Sequence, residues 1–221
     1  MKRGFKSLFG KTANDSPFEK EKVFCIGLNK TGTTSLELAL KELGYRLGDQ
    51  HQGEMFLQDY ARRDFSRIIN FCHTADAFQD APFSYPFTFI LLDQHFPRAK
   101  FILTVRDNAE QWLDSLIRFQ AKLFNNGETP TKETLQEAFY LYKGRPWEAS
   151  RILFNTPEDD IYHAPTMHAY YNNHNAAVRE YFRTKNNLLE INVSDKDAYL
   201  RMCAFLGKKP TGEDFPWLNK S

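Results

Sequence analysis

The sequence predicts an α/β domain of three layers, with helices on both faces of a central parallel sheet. Three short apolar runs, at residues 22–28, 100–106 and 188–193, have the length of buried strands. Each run is followed by a stretch with the periodicity of a helix. Apolar strands that alternate with helices favour a parallel sheet that is covered on both sides. Ligands of such sheets bind beyond the carboxyl ends of the strands, so functional residues are expected there.

The other elements follow from the same patterns. Residues 33–43 carry an apolar helical face that Gly44 ends, and residues 75–80 form a short strand that ends at Asp80. One helix is expected within 48–71, and others at 109–123, through most of 131–184 (including 132–142), and at 195–206, where Gly207 ends the last one. The segment 83–99 fits either a helix or a strand, and a helix over 86–95 is favoured.

Composition excludes some classes of protein. The 221 residues include 20 Phe, 10 Tyr and 3 Trp, which is enough apolar area for one sizeable core. The 29 basic and 28 acidic residues give a net charge of +1, which argues against a nucleic-acid-binding protein. No secretory signal and no apolar run of about 20 residues is visible, so no transmembrane segment is expected. We expect a flexible lead at residues 1–21 and a single domain over residues 22–221.

The cysteines indicate a reducing compartment. Cys25, Cys72 and Cys203 lie far apart and have no spacing typical of metal ligands. An odd number of unclustered cysteines fits free thiols in a cytoplasmic protein better than disulfides. No metal site is predicted.

The segment after the first strand is the most informative one. A strand, a glycine-containing loop and a helix follow each other, and the loop contains Lys30, Thr31, Gly32, Thr33, Thr34 and Ser35. Such a loop points several backbone N–H groups at one place, and the helix dipole adds positive charge there. The loop therefore predicts a site for a phosphate-like anion, to which the hydroxyls of Thr33 and Thr34 can donate further hydrogen bonds.

The position of the lysine argues against an ATP site. The Walker A pattern places a lysine directly after its second glycine. Here Gly27 and Gly32 have the right spacing, but Thr33 occupies the lysine position and Lys30 precedes the second glycine. From there Lys30 could reach a group beyond the bound phosphate.

The stretch "NKTGTTSLELALKELGY" resembles the donor-binding loop of the sulfotransferase family, K-[ST]-G-T-[TS], in the branch where Ser-Leu follows the threonines. The resemblance implies a P-loop NTPase-like sulfotransferase fold and the donor 3′-phosphoadenosine 5′-phosphosulfate (PAPS), with no metal. In the cytosolic branch a Trp that stacks on adenine follows the threonines, whereas this chain has Ser35. The group that contacts adenine stays unassigned.

A second motif supports the resemblance. The family binds the 3′-phosphate of the donor with an Arg at the end of a core strand and a Ser in the next helix, and "FILTVRDNAEQWLDSL" supplies Arg106 and Ser115. A guanidinium also suits bidentate contact with phosphate on physical grounds. Trp112, between them, is expected in the core, with contact to adenine as the alternative. The resemblance extends over roughly residues 22–219.

The resemblance also implies how transfer would work. Lys30 would neutralise charge on the leaving oxygen, and a base would take the proton of the acceptor. Asp80 stands where cytosolic members have a His, and a partly buried carboxylate can serve as that base. His73 is the alternative.

Other functions and partners remain open at this point. A nucleotide kinase or NTPase and a non-catalytic nucleotide-binding protein are the competing interpretations. The acceptor is expected to be a small organic molecule or a carbohydrate, with a hydroxyl or an amine as the reacting group. The oligomeric state is open, a homodimer included.

Overall fold

The computed structural model of the chain describes residues 21–216. The expected lead at residues 1–21 lies outside this range except for Glu21. The last residues of the resemblance, 217–219, also lie outside it. The helices and strands, in chain order, are β1 Val23–Cys25, α1 Thr33–Glu42, α2 Gln50–Glu54, α3 Leu57–Ala61, α4 Ser66–Phe71, β2 Ala77–Phe78, α5 Thr88–His95, β3 Lys100–Thr104, α6 Ala109–Phe124, α7 Lys132–Glu137, β4 Phe139–Tyr140, β5 Tyr142–Lys143, α8 Arg145–Leu153, α9 Ala164–Phe182, β6 Leu188–Ile191 and α10 Ala198–Leu206.

The central sheet has four parallel strands in the order β2-β1-β3-β6. Alternate residues of β1 point to opposite faces, as the pleat of a strand requires. Phe24 packs with the cluster that contains residues of α3, α4, α5 and α9, whereas Val23 and Cys25 pack with residues of α1 and α10. The predicted three-layer α/β/α domain with a central parallel sheet is therefore confirmed.

Rings dominate the first of these two clusters. Phe24 is fully buried, and its ring lies 5.5–5.7 Å from the rings of Phe78, Phe83, Phe96 and Phe101. Full burial of one such side chain contributes roughly 1.5–3 kcal/mol. These contacts fix the sheet beneath the loop that follows β1.

A third cluster lies beyond the carboxyl end of the sheet, where α6 packs on α9. Leu28, Trp112, Leu116, Met167 and Tyr171 are all buried in it. It attaches the loop after β1 to both helices.

Two predictions about secondary structure were wrong. Residues 48–71 form three short helices, α2, α3 and α4, rather than one. The chain turns between them at residues such as Arg63, which has a φ of 59°, while Phe56, Tyr60 and Phe71 enter the same core cluster. Burying these three rings stabilises the chain more than the hydrogen bonds of one continuous helix would.

The second error concerns residues 132–142, which were expected to be helical. The helix α7 ends at Glu137, and β4 and β5 then form a tight antiparallel hairpin. Leu141 makes its turn with a φ of 65°. The hydroxyl of Tyr140 donates to Glu54, 86 residues earlier, and that of Tyr142 donates to the nearby Glu148, and these contacts hold the hairpin in place.

None of the helices among the described residues combines the length and the apolar character needed to cross a membrane.

Candidate active site

The loop between β1 and α1 has a backbone that only some residues tolerate. Lys30 and Gly32 have φ values of 68° and 100°, in the left-handed region. A β-carbon placed on Gly32 would lie 2.3 Å from Cγ2 of Val193, so both the conformation and the packing require glycine. Gly32 directly precedes α1, and no side chain caps the helix. The first-turn N–H groups of α1 are therefore available to an anion.

The loop is tied to the end of β3. The hydroxyl of Thr31 is completely buried and bonds to the carbonyl of Leu28 and to Oγ1 of Thr104, the latter at 2.6 Å. Gly27 lies so close to Thr104 that a β-carbon would be 2.2 Å from Oγ1. The Thr31 side chain thus holds the loop together, and the Thr31 N–H also donates within the loop, to the Leu28 carbonyl at 3.3 Å.

Three side chains from later in the chain donate hydrogen bonds to carbonyls of this segment. Nε2 of His174 bonds to Ile26 at 2.8 Å, Nε1 of Trp112 to Asn29 at 3.0 Å, and Nε of Arg106 to Lys30 at 2.8 Å. Because a carbonyl only accepts, the Nε2 of His174 carries a proton, and burial lowers the pKa of this imidazole to about 4. The conformation of the loop is thus fixed from α6, from α9 and from the segment that follows β3.

The backbone of Arg106 is also held in place beside the loop, by hydrogen bonds to Tyr171. The hydroxyl of Tyr171 accepts from the Arg106 N–H at 2.8 Å and donates to the Arg106 carbonyl at 3.1 Å. Burial is the main cause that lowers the pKa of Arg106, with Asp107 acting in the opposite direction, and the group stays charged at neutral pH. Nη1 and Nη2 make no hydrogen bond within residues 21–216, which leaves both for a ligand.

Ser115 lies on the face of α6 that meets the loop. It stands one turn beyond Trp112, which bonds to Asn29, and one turn before Phe119, which contacts Lys30. Residues three and four apart on a helix share one face. Ser115 is half-buried, and its hydroxyl makes no hydrogen bond to the residues that the structure describes.

A cavity of about 230 Å³ opens beside the loop. Lys30, Thr33, Thr34 and Asp80 are among the residues that line it. Nζ of Lys30 lies 3.7 Å from the ring centre of Phe119, a favourable distance for a cation over an aromatic face. Burial, and secondarily Arg106, lowers the pKa of Lys30, although the negative charge of Asp80 acts to raise it.

Asp80 follows β2 in a left-handed conformation with a φ of 57°. Burial, followed by the negative charge of Glu54, raises the pKa of this carboxyl to about 6. A hydrogen bond from the Ala81 N–H and the charge of Lys30 act in the opposite direction without cancelling the increase. Asp80 is therefore a carboxylate at neutral pH with a raised affinity for a proton.

A family model described as a sulfotransferase domain matches residues 22–221. The chain belongs to the sulfotransferase family. The predicted membership and the predicted sulfotransferase fold are thereby confirmed. No curated protein matches the chain.

In this sulfotransferase, the residues predicted for the site fall into two groups. Lys30, Thr33, Thr34 and Asp80 line the cavity. The others, Thr31, Gly32, Ser35, Arg106 and Ser115, lie in the loop or against it and do not line the cavity.

His73, the alternative base, is placed elsewhere. Its ring packs edge-on against Phe96 at 5.6 Å, and it is not a lining residue of the cavity. Burial is the main cause that lowers the pKa of His73. This placement favours Asp80 over His73 as the residue that meets an acceptor.

Sequence reasoning missed several features of the candidate site. Trp112 is in the core, as expected, but its N–H also holds the loop, and it stacks on Tyr171 with ring centres 5.3 Å apart. Glu54 and Arg145 line the cavity although no local motif marks either of them. No group of three or more potential metal ligands occurs in residues 21–216.

Proposed function

We propose that the chain transfers a sulfuryl group from PAPS to a hydroxyl or an amine of a small organic or carbohydrate acceptor. The observation that carries this proposal is that Lys30 and Asp80 face the same cavity beside an uncapped helix N-terminus. A cation for the leaving group and a base for the acceptor are the two charged groups that such a transfer needs.

The loop and Arg106 fit the two phosphates of the donor nucleotide. The free N–H groups at the start of α1, with the hydroxyls of Thr33 and Thr34, suit the 5′-phosphate. The free Nη atoms of Arg106 suit the 3′-phosphate, and Ser115 lies on the adjoining helix face. Gly32 and Ser35 would contribute backbone N–H groups, and Ser35 a hydroxyl.

When bound, the donor supplies the sulfuryl group and leaves as adenosine 3′,5′-bisphosphate. Asp80 accepts the proton of the acceptor hydroxyl as the new sulfur–oxygen bond forms. The ammonium of Lys30 donates a hydrogen bond to the oxygen that remains on the nucleotide when the old sulfur–oxygen bond breaks. The loop amides hold the 5′-phosphate in line, so the contribution of the protein is positioning and electrostatic stabilisation.

Nucleotide binding separates this proposal from a nucleotide kinase or NTPase. Calorimetric titration with adenosine 3′,5′-bisphosphate in the presence of EDTA should give saturable binding, and ATP with Mg²⁺ should bind much more weakly. The opposite order of affinities would favour the kinase. Binding of the bisphosphate without release of it from PAPS, in a broad acceptor screen, would favour a non-catalytic protein.

We also propose that residues 22–221 form one domain and that the protein works in the cytoplasm. The family match over that range supports the first statement. Cys25, Cys72 and Cys203 are buried free thiols, which supports the second. Protease digestion that leaves a single stable fragment, and fractionation of cells that make the tagged protein, would test the two statements.

A further inference from the structure

A buried arginine lines the cavity at a place that the transfer mechanism does not use. Arg145 is the first residue of α8 and directly follows Gly144, which has a φ of 78°. Only 7% of Arg145 is exposed, although a guanidinium is among the groups that proteins bury least often. Like Asp80, it is a lining residue of the cavity.

The charge of Arg145 has no ionic partner within residues 21–216. Its Nη2 donates to the carbonyl of Glu54 at 3.1 Å and to the hydroxyl of Tyr85 at 3.3 Å, and both acceptors are neutral. Its Nε is buried without a hydrogen-bond partner, and its Nη1 makes no hydrogen bond to the described residues.

The carboxylate of Glu54, whose backbone carbonyl bonds to Arg145, accepts hydrogen bonds from two other residues. Oε1 of Glu54 accepts from the hydroxyl of Tyr140 at 3.0 Å and from Nε2 of Gln50 at 3.1 Å. Arg145 therefore contacts only the backbone of Glu54. The Glu54 carboxylate makes no ion pair with the Arg145 guanidinium within residues 21–216.

A buried charge without a counter-ion is costly, and only part of that cost is offset by two neutral hydrogen bonds. An oxyanion that enters the cavity would supply both the missing charge and acceptors for a planar donor group. The cavity is also lined by apolar and aromatic side chains such as Phe119, Leu123 and Phe154, and by the carboxylates of Glu54 and Asp80. Its other cation, Lys30, is the one that the proposed transfer uses for the leaving group.

We propose that Arg145 binds an oxyanion on the acceptor, so that this enzyme sulfates acidic hydroxy compounds. The anion, a carboxylate or a sulfate-like group, lies on Arg145 while the reacting hydroxyl lies at Asp80. Both residues line one cavity of about 230 Å³, which limits the acceptor to a small molecule or the end of a larger one. This inference rests on the proposed function, whose donor site uses other residues.

Matched pairs of phenols test the inference by binding alone. The probes are 4-hydroxyphenylacetate with 4-hydroxyphenylacetamide, and 4-hydroxybenzenesulfonate with its sulfonamide. Each is titrated into the enzyme, with and without saturating adenosine 3′,5′-bisphosphate. At least one acid should bind the wild type roughly tenfold or more tighter than its amide, as expected for charge-assisted hydrogen bonds. The pair that shows the gap distinguishes a carboxylate from a sulfate-like anion.

The gap should vanish in Arg145→Met and shrink in Arg145→Lys, which keeps the charge but loses the planar fork. Arg151→Met is the matched control, because Arg151 lies on the same helix, bonds to Thr156 and Asn155, and does not line the cavity. Thermal unfolding of each variant verifies that it is folded.

Three results would overturn the inference: no acid binds, acids and amides bind equally, or the gap survives in Arg145→Met. A loss of bisphosphate affinity in Arg145→Met would also overturn it, because Arg145 would then belong to the donor site. Failure of the bisphosphate to bind the wild type would instead overturn the proposed donor. The titrations of the acids without nucleotide distinguish failure of the Arg145 inference from failure of the proposed donor.

Discussion

Replacing Asp80 by Asn should make the protein more stable and less active. The pKa of Asp80 is raised from 3.8 to about 6 by burial and by Glu54. Because an unfolded chain restores the ordinary value, the folded state binds this proton more tightly. The stability that Asp80 contributes is therefore fully present below about pH 3.8 and is lost as the pH rises through about 6.

The magnitude follows from the difference in pKa. A rise from 3.8 to about 6 is roughly two units, and each unit corresponds to about 1.4 kcal/mol. At neutral pH the ionised carboxylate thus costs up to about 3 kcal/mol of stability. Asparagine has nearly the same shape, carries no charge, and can still accept from the Ala81 N–H. Loss of the base should lower turnover by about 10²- to 10⁴-fold.

Urea unfolding at pH 4, 5, 6, 7 and 8 measures the first effect, and release of adenosine 3′,5′-bisphosphate from PAPS measures the second. The stability gained by Asp80→Asn should be near zero at pH 4 and reach its plateau above pH 6. Asp159→Asn, an exposed carboxylate outside the cavity, should change neither quantity. The reasoning is refuted if Asp80→Asn is less stable than the wild type at pH 7, or if it turns over normally.

Three further variants test the loop. Lys30→Met should lower turnover by about 10²- to 10³-fold with little change in the thermal midpoint, since a single electrostatic contact to the leaving group is lost; wild-type rates would exclude that role. Trp112→Phe removes the N–H that bonds to Asn29 and should weaken bisphosphate binding by up to roughly tenfold in calorimetry, whereas an unchanged affinity would mean that this bond does not order the loop. Gly32→Ala places a methyl group against Val193 at a φ of 100°, so unfolding in urea should show a loss of about 1–3 kcal/mol; a variant as stable as the wild type would contradict the described loop.

Sequence patterns predicted those parts of the fold in which the local residue pattern agrees with the structure that tertiary packing favours. The strand before the loop is a continuous apolar run, α1 ends where Gly44 adopts a φ of 85°, and Gly207 ends α10 with a φ of 66°. The observed strand β1 is shorter than predicted, but its place in the sheet is as expected. A glycine that ends a helix in a left-handed conformation can be recognised from that single residue of the sequence.

Where the chain turns without glycine, the sequence gives no such signal. Arg63 and Leu141 adopt left-handed conformations in the two regions where helices were wrongly predicted. The hairpin after α7 depends on the contact of Tyr140 with Glu54, 86 residues earlier. Contacts over that distance outweigh helical propensity and cannot be inferred from a local window.

The candidate site divides in the same way. The glycine loop with Lys30 marks its chemistry within a few residues, so sequence reasoning found it. Arg145 lies in a short stretch, "KGR", that matches no donor-binding pattern at its place in the chain. Only the fold shows that it is buried and lines the same cavity as Asp80. The predicted roles of Lys30, Asp80 and Arg106 stay predictions until they are measured.

The central claim is that the loop and Arg106 hold opposite ends of one nucleotide. A crystal structure of the protein with adenosine 3′,5′-bisphosphate tests it most directly. We predict the 5′-phosphate on the N–H groups of residues 32–35 and the 3′-phosphate on the Nη atoms of Arg106. A 3′-phosphate bound by other residues, or a nucleotide that avoids the loop altogether, would contradict the claim.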